Sequence, residues 1–187
     1  AIYAFSANKE ELWKLSGVNV TEQGTFALNG NTLYATLKSK AGLVAVDITN
    51  GTKKWTYPTT GGDAYFPIVD KKGVVYFTEK GSQTVYAVDA DGSKVWVKKV
   101  NNNLNYSGAV LSTDGVLYIG TQSNNKIFGL NTADGSTVYE ESVGQQVMAS
   151  VSIGPDKRLY CGTIGASNIG SIKAVSYTHL RDHETEA

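Results

Sequence analysis

Between Thr84 and Trp96 the chain reads TVYAVDADGSKVW, an apolar run of alternating positions, a polar turn, and a second alternating run that closes on an aromatic ring. The same order of residue types recurs in Gly42–Trp55 (GLVAVDITNGTKKW), in Lys126–Tyr139 (KIFGLNTADGSTVY) and in Ala1–Trp13 (AIYAFSANKEELW). A small residue in the middle of the first run falls at Ala4, Ala45, Ala87 and Gly129, in steps of 41, 42 and 42 residues, and the closing aromatic falls at Trp13, Trp55, Trp96 and Tyr139. A period of two within each run predicts β-strands, and Asn50-Gly51, Asp91-Gly92 and Asp134-Gly135 between the runs supply the positive φ of a tight hairpin.

A further run precedes each hairpin: TLYAT from Thr32, VVYFT from Val74, VLYIGT from Val116 and RLYCGT from Arg158, with tyrosines at Tyr34, Tyr76, Tyr118 and Tyr160, each 42 residues after the last. A turn stands before each of these, and before the turn another short run (TFALN, AYFPIVD, SGAVLST, ASVSIG). Four short antiparallel strands per repeat of about 42 residues is the pattern of a β-propeller blade. The expected fold is therefore all-β, with about four four-stranded blades of an incomplete ring. Residues 24–58, 64–100 and 106–142 read as complete blades, 147–175 as a blade lacking its outer strand, and 1–16 as the last two strands of another. Ser16–Gln23 reads as a polar connection, and the other linkers (59–63, 101–105 and 143–146) as short loops within one domain.

The repeated residues have a packing role that needs no ligand. Ala45, Ala87 and Gly129 stand where a larger side chain would hold neighbouring sheets apart, and Trp55 and Trp96 are flat groups able to fill the wedge between them. Asp47, Asp89 and Asn131 open the turns and can accept backbone N–H bonds there. The pattern Ala45, Asp47, Gly51, Trp55, with a copy one residue shorter at Ala87, Asp89, Gly92, Trp96, resembles the tryptophan-docking motif of the PQQ-like, quinoprotein-type propeller repeat. A third copy departs from it as Gly129, Asn131, Gly135, Tyr139. The resemblance extends over residues 1–174 and implies a ring of seven or eight blades, in a protein of the cell envelope (periplasm or outer surface) or a secreted one.

From Val175 to Ala187 the chain reads VSYTHLRDHETEA, which resembles the translation of a transposase adapter used in sequencing libraries, with Asp182 where that reading has Ala; these residues are expected to be a non-native tail. The only two histidines, His179 and His183, lie in it. Lys plus Arg and Asp plus Glu number 17 each, so charge does not draw the chain to nucleic acid or anionic lipid, and no apolar run approaches the roughly 18 residues of a membrane helix. The single cysteine, Cys161, reads as a small buried side chain.

Chemistry is hard to place on this chain. Asp89-Ala90-Asp91-Gly92-Ser93 imitates the start of a calcium loop, but Val100 stands where a bidentate Glu belongs. Hydrolytic schemes lack an imidazole outside the tail, and Glu10-Glu11 and Glu140-Glu141 fall in outermost strands. The resemblance admits a fragment of a PQQ-dependent dehydrogenase, yet that class's Asp, metal-ligating Asn and Glu, cofactor-stacking Trp and vicinal disulfide cannot be matched here. No catalytic, cofactor or metal residue is assigned, and none is expected. The expected role is that of a non-catalytic scaffold or recognition module, and a carbohydrate-binding module is the further alternative. Its partner, a protein or a glycan, would meet the face formed by the blade-entry loops, where Tyr65, Asn103, Asn105, Tyr106 and Gln145 bring amides beside aromatic rings.

Overall fold

The structure is a computed structural model that describes residues 1–22, 24–100, 104, 108–165 and 169–177. Every regular element in it is a strand, and the chain forms two compact units, Ala1–Asn101 and Asn102–Ala187.

The first unit opens with a hairpin, β1 (Ile2–Phe5) and β2 (Glu11–Leu15). A four-stranded meander follows: β3 (Phe26–Asn29), β4 (Thr32–Leu37), β5 (Gly42–Asp47) and β6 (Lys53–Tyr57). A second meander repeats it: β7 (Ala64–Val69), β8 (Val75–Glu79), β9 (Thr84–Val88) and β10 (Lys94–Lys99). In the second unit β11 (Val110–Leu111), β12 (Val116–Gly120), β13 (Lys126–Asn131) and β14 (Thr137–Ser142) form the third meander. The last sheet is built on β17 (Arg158–Ile164), with β18 (Gly170–Ser176) along one edge and two fragments, β15 (Gln146–Val147) and β16 (Ser152–Ile153), along the other.

The 42-residue period becomes a fixed register. The repeated tyrosine of the second strand stands opposite the small residue of the third: Tyr34 opposite Ala45, Tyr76 opposite Ala87, Tyr118 opposite Gly129 and Tyr160 opposite Ala174. The closing aromatic then stands opposite that same small residue, as Trp55 does at Ala45, Trp96 at Ala87, Tyr139 at Gly129 and Trp13 at Ala4. Two rings thus flank one small side chain from either side. The space is tight: a Cβ added at Gly129 would lie 2.7 Å from the Tyr139 Cβ and 2.9 Å from the Tyr118 ring. A bulge beside the small residue recurs in all four of these hairpins and lets the second strand carry its extra residue.

Both faces of the β3–β6 sheet are used. On one, Ala35, Leu37, Val44 and Val46 are buried with Ile2 and covered by Trp13 and Leu15 of the β1–β2 hairpin. On the other, Ala27, Tyr34, Leu43 and Ala45 meet Ala64, Val75, Phe77, Tyr86 and Val88 of the next sheet, with Trp55, Tyr57 and Val69 closing the margin. In the second unit Tyr118, Ile127 and Tyr139 pack with Val147, Val151, Leu159 and the buried Cys161, whose thiol is pushed up by burial.

Two features differ from the sequence reading. The connection around 16–22 is no mere polar linker: Val18 and Val20 pack against the β3–β6 sheet, Val20 bridges Leu37, and Thr21 is buried with its hydroxyl donating to the Ala64 carbonyl at 2.7 Å. The first strands are also less regular than alternation implies. β7 carries a bulge between Tyr65 and Ile68, where Phe66 takes φ 50° and Pro67 has no N–H to give the ladder. The first strand of the last sheet is split, because the Val151 N–H leaves the ladder for the Gly108 carbonyl.

Candidate functional site

Two constellations follow from the repeat: the joints between sheets and the loop end of each sheet. At the joint, the tryptophan closing one sheet lies on the turn of the next. Trp13 donates its indole N–H to the Ile48 carbonyl at 2.7 Å, and Trp55 donates to the Ala90 carbonyl at 2.9 Å. Both rings rest on a glycine: a Cβ added at Gly51 would lie 2.7 Å from the Trp13 ring, and one at Gly92 would lie 2.8 Å from the Trp55 ring.

The turn is held open for the ring by its first residue. Asp47 accepts from the Thr49 N–H and hydroxyl at 2.9 and 2.6 Å, Asp89 from the Asp91 and Ser93 N–H groups at 3.2 and 2.8 Å, and Asn131 from the Ala133 N–H at 2.9 Å. These bonds hold the Asp47 carboxyl below the usual carboxylate range, those from Thr49 first and Lys54 adding to them. Gly51, Gly92 and Gly135 take φ 72°, 89° and 73°, a region costly for other L-residues. Trp96 is buried opposite Ala87, and Tyr139 lies beside Gly129 with its hydroxyl donating to the Ser176 carbonyl at 3.0 Å. The contacts made at these positions are those of ring packing and of turn hydrogen bonds.

At the loop end of the first unit three segments meet. The Lys80 N–H donates to the Asp63 carbonyl at 3.1 Å, the Lys40 N–H to the Gly62 carbonyl at 3.0 Å, and the Ser39 N–H to the Asp63 carboxylate at 2.8 Å. Asp63 thus ties the linker 59–63 to the turns after β4 and β8. Tyr65, at the start of β7, reaches back to the Asp63 carboxylate at 3.5 Å and lies against the Phe66 ring. Its hydroxyl pKa is raised by burial first and by the Asp63 charge second. Beside them Lys38 pairs with Glu22 at 2.5 Å. The result is a half-exposed tyrosine bordered by Asp63 and a Lys–Glu pair, on loops whose backbone is bonded together.

Beneath this surface lies a carboxylate that sequence reasoning missed. Glu79 is fully buried; one carboxylate oxygen accepts from the Tyr86 hydroxyl at 2.5 Å and from Ser82 at 2.7 Å, while the other has no hydrogen-bond partner among the described residues. A Cβ on Gly61 would lie 2.5 Å from that second oxygen. The available signal was a break in the repeat, since the positions 42 residues either side are Leu37 and Thr121.

In the second unit the same end of the last sheet carries Gln145, whose side-chain oxygen accepts from Thr163 and Ser171, each at 2.8 Å. Gln145 is therefore committed to holding β17 and β18 together at that end. Asn103, Asn105 and Tyr106, the other members of the expected ligand face, lie outside the described residues. Among the described residues no three His, Cys, Asp or Glu side chains gather as a metal site, and no helix is long and apolar enough to cross a membrane.

Four-stranded antiparallel sheets at a 42-residue period, with a tryptophan resting on a turn glycine at both joints of the first unit, define β-propeller blades of the PQQ-repeat type. The family profile described as outer membrane protein assembly factor BamB matches residues 1–154, and the chain belongs to that family. Among solved structures, BamB from Moraxella catarrhalis is similar at TM-score 0.69 and 16% identity, over 85% of this chain and 48% of that one. A chain of a mitotic checkpoint complex is similar at TM-score 0.74 and 17% identity, over 91% and 53%. Hydrazine synthase from Kuenenia stuttgartiensis is similar at TM-score 0.70 and 18% identity, over 88% and 49%. The chain thus spans about half the length of each, and at these identities the likeness is one of fold. No curated protein matches it by sequence.

Proposed function

We propose that the chain is part of a non-catalytic propeller of the bacterial envelope that recognises another protein through the loop end of its blades. The observation that carries this reading is the Asp63 clasp, which bonds the loops that bear Tyr65 and Lys38, with Glu22 paired to Lys38 beside them, so that a partner meets an ordered aromatic and charged surface. Pre-ordering of this kind lowers the entropy lost on binding. Membership of a family described as an outer membrane protein assembly factor supports a protein partner and an envelope location. Residues 1–174 are read as consecutive repeats of a larger propeller, and 175–187 as a non-native tail that takes no part in recognition.

The test is site-specific photo-crosslinking in an envelope fraction, with the photoreactive residue at position 65 or, as a control on an outer strand, at position 53. A discrete protein adduct at 65 that is absent at 53 and is lost in Asp63→Ala is expected. Dehydrogenase activity on adding PQQ and Ca²⁺, or a glycan-array signal lost in Tyr65→Ala, would overturn the proposal in favour of an enzyme or of a carbohydrate module.

A further inference from the structure

Glu79, on β8, is the one fully buried carboxyl side chain among the described residues, and the repeat supplies its internal control. The positions 42 residues either side are Leu37, which packs in the apolar face of the β3–β6 sheet, and Thr121, whose hydroxyl donates to the Lys126 carbonyl at 3.1 Å. Both fill the same place in a sheet without a carboxylate, so the packing itself does not call for one. At Glu79, Oε2 accepts from the Tyr86 and Ser82 hydroxyls, while Oε1 has no hydrogen-bond partner among the described residues. A buried oxygen left in this way never recovers its desolvation cost, and such a group calls for an explanation.

The floor around that carboxylate is fixed. The Ser82 hydroxyl lies 2.7 Å from Oε2 and 2.7 Å from the Thr84 hydroxyl, and the Tyr86 ring is held by Phe77, stacked at 5.0 Å, and by Tyr57, edge-on at 6.0 Å. The cover is a strap one residue thick: Gly61 is exposed to solvent, and a Cβ on it would lie 2.5 Å from Oε1. The strap is bonded at its ends. The Thr59 N–H donates to the Lys40 carbonyl, the Lys40 N–H to the Gly62 carbonyl, each at 3.0 Å, and the Lys80 N–H to the Asp63 carbonyl at 3.1 Å. Between these anchors Thr60 and Gly61 make no backbone hydrogen bond among the described residues. Gly61 meets Gly81 backbone to backbone, since a Cβ on Gly81 would lie 2.4 Å from the Gly61 carbonyl oxygen. A tip of this kind, without side chains or ladder bonds to break, opens at low cost while its anchors hold.

We propose that the strap lifts on binding and that Oε1 of Glu79 then receives the ammonium group of a lysine presented by the protein partner. This rests on the loop end being the recognition surface and names what the partner inserts there. The arrangement selects among cations. Oε2 already accepts two hydroxyls, so a guanidinium, whose fork grips both oxygens of a carboxylate, finds one of them occupied. An ammonium needs a single oxygen and can turn its other N–H groups to the hydroxyls of Ser82 and of Thr60, which lies 3.5 Å from the Tyr86 hydroxyl. A trimethylated ammonium carries the charge without an N–H to give. The exposed Lys40 and Lys80, bonded through their backbones to the strap, keep the entrance from gathering free cations, so the ammonium arrives on a docked chain. Its pairing supplies the hydrogen bond that the closed state lacks.

The test titrates the full chain, at constant ionic strength, with Nα-acetyl-lysine methylamide and with its arginine and Nε-trimethyl-lysine counterparts, reading the NMR amide shifts of Gly61 and Ser82. The lysine compound is expected to move both resonances saturably and to bind about tenfold more tightly than either of the others. Glu79→Gln, which keeps the shape of the side chain and an acceptor for Tyr86 and Ser82, is expected to lose that preference. Equal binding of the three compounds, no saturable shift, or an unchanged preference in Glu79→Gln would overturn the proposal. So would calcium chloride moving the same resonances at a lower concentration than the lysine compound, since the site would then be one for a metal ion. The comparison of compounds uses the parent chain and decides the matter even where Glu79→Gln fails to fold. Crosslinking at position 65 separates this proposal from the reading beneath it. An adduct undiminished in Glu79→Gln would remove lysine insertion and leave the loop-end reading standing, whereas lysine-selective binding without an adduct at 65 would support the ammonium site and remove the loop-end reading.

Discussion

Gly92→Ala against Gly30→Ala separates the cost of a turn from the cost of the joint it supports. Both glycines sit in hairpin turns of the first unit at positive φ, 89° and 53°. A methyl at Gly30 meets nothing within 4 Å, whereas one at Gly92 would lie 2.8 Å from the Trp55 ring. The left-handed backbone costs either alanine roughly 1–2 kcal/mol. At Gly92 the ring must also move off the turn, losing the Trp55–Ala90 hydrogen bond, worth about 1 kcal/mol net, and part of the packing that makes removal of a large buried aromatic cost about 3–5 kcal/mol. The expected destabilisation is about 1–2 kcal/mol for Gly30→Ala and about 3–4 kcal/mol for Gly92→Ala. Urea unfolding followed by tryptophan emission measures both, and Gly92→Ala should red-shift the native emission as Trp55 gains water. Equal destabilisation by the two substitutions, with unchanged native emission, would show that the ring-on-glycine contact does not hold the sheets together.

Stability should also fall steeply above pH 10. Burial, with the Glu141 charge second, pushes the Tyr139 hydroxyl up to about 12, and burial raises Tyr118, Tyr34, Tyr57 and Tyr86 in the same direction. The folded state then holds these protons more tightly than the unfolded state. Their contribution is complete below pH 10 and disappears as the pH rises through the folded values, on the order of 2 kcal/mol for Tyr139 alone. Thermal melts from pH 8 to 12, with absorbance at 295 nm as the phenolate probe, check this, and a flat melting temperature to pH 12 would refute it. Gly61→Ala, whose methyl would lie 2.5 Å from the buried Glu79 oxygen and 2.7 Å from the Ser82 backbone nitrogen, is expected to destabilise the protein by about 1–3 kcal/mol. A melt indistinguishable from the parent would mean that the 59–63 linker does not lie over Glu79.

The strands and their grouping were legible because one pattern is written repeatedly: Ala45, Asp47, Gly51 and Trp55 can be aligned by eye with Ala87, Asp89, Gly92 and Trp96, and each carries a geometric requirement. What could not be seen is which turn a tryptophan meets. Trp55 lies on Gly92 of the next sheet and not on Gly51 of its own, a relation that a period alone leaves open. Departures from the period were the harder signals. The run AYFPIVD is longer than TFALN and contains a proline, and that surplus becomes the bulge at Phe66. Glu79 stands where a neighbouring repeat has Leu37, and its burial depends on Tyr86, Ser82 and Gly61 converging from three segments. Tyr65 owes its setting to Asp63, two residues away, whereas Gln145 is turned inward to Thr163 and Ser171, a pairing that spacing could not reveal.

Each indole bond between sheets spans the same interval along the chain, 35 residues from Trp13 to Ile48 and 35 from Trp55 to Ala90. At these two joints each sheet therefore addresses its successor by a relative offset and needs no distant landmark. Duplication or loss of a whole repeat in the gene would leave an offset of this kind valid, so a chain joined in this way can lengthen or shorten in single steps without redesign of those joints.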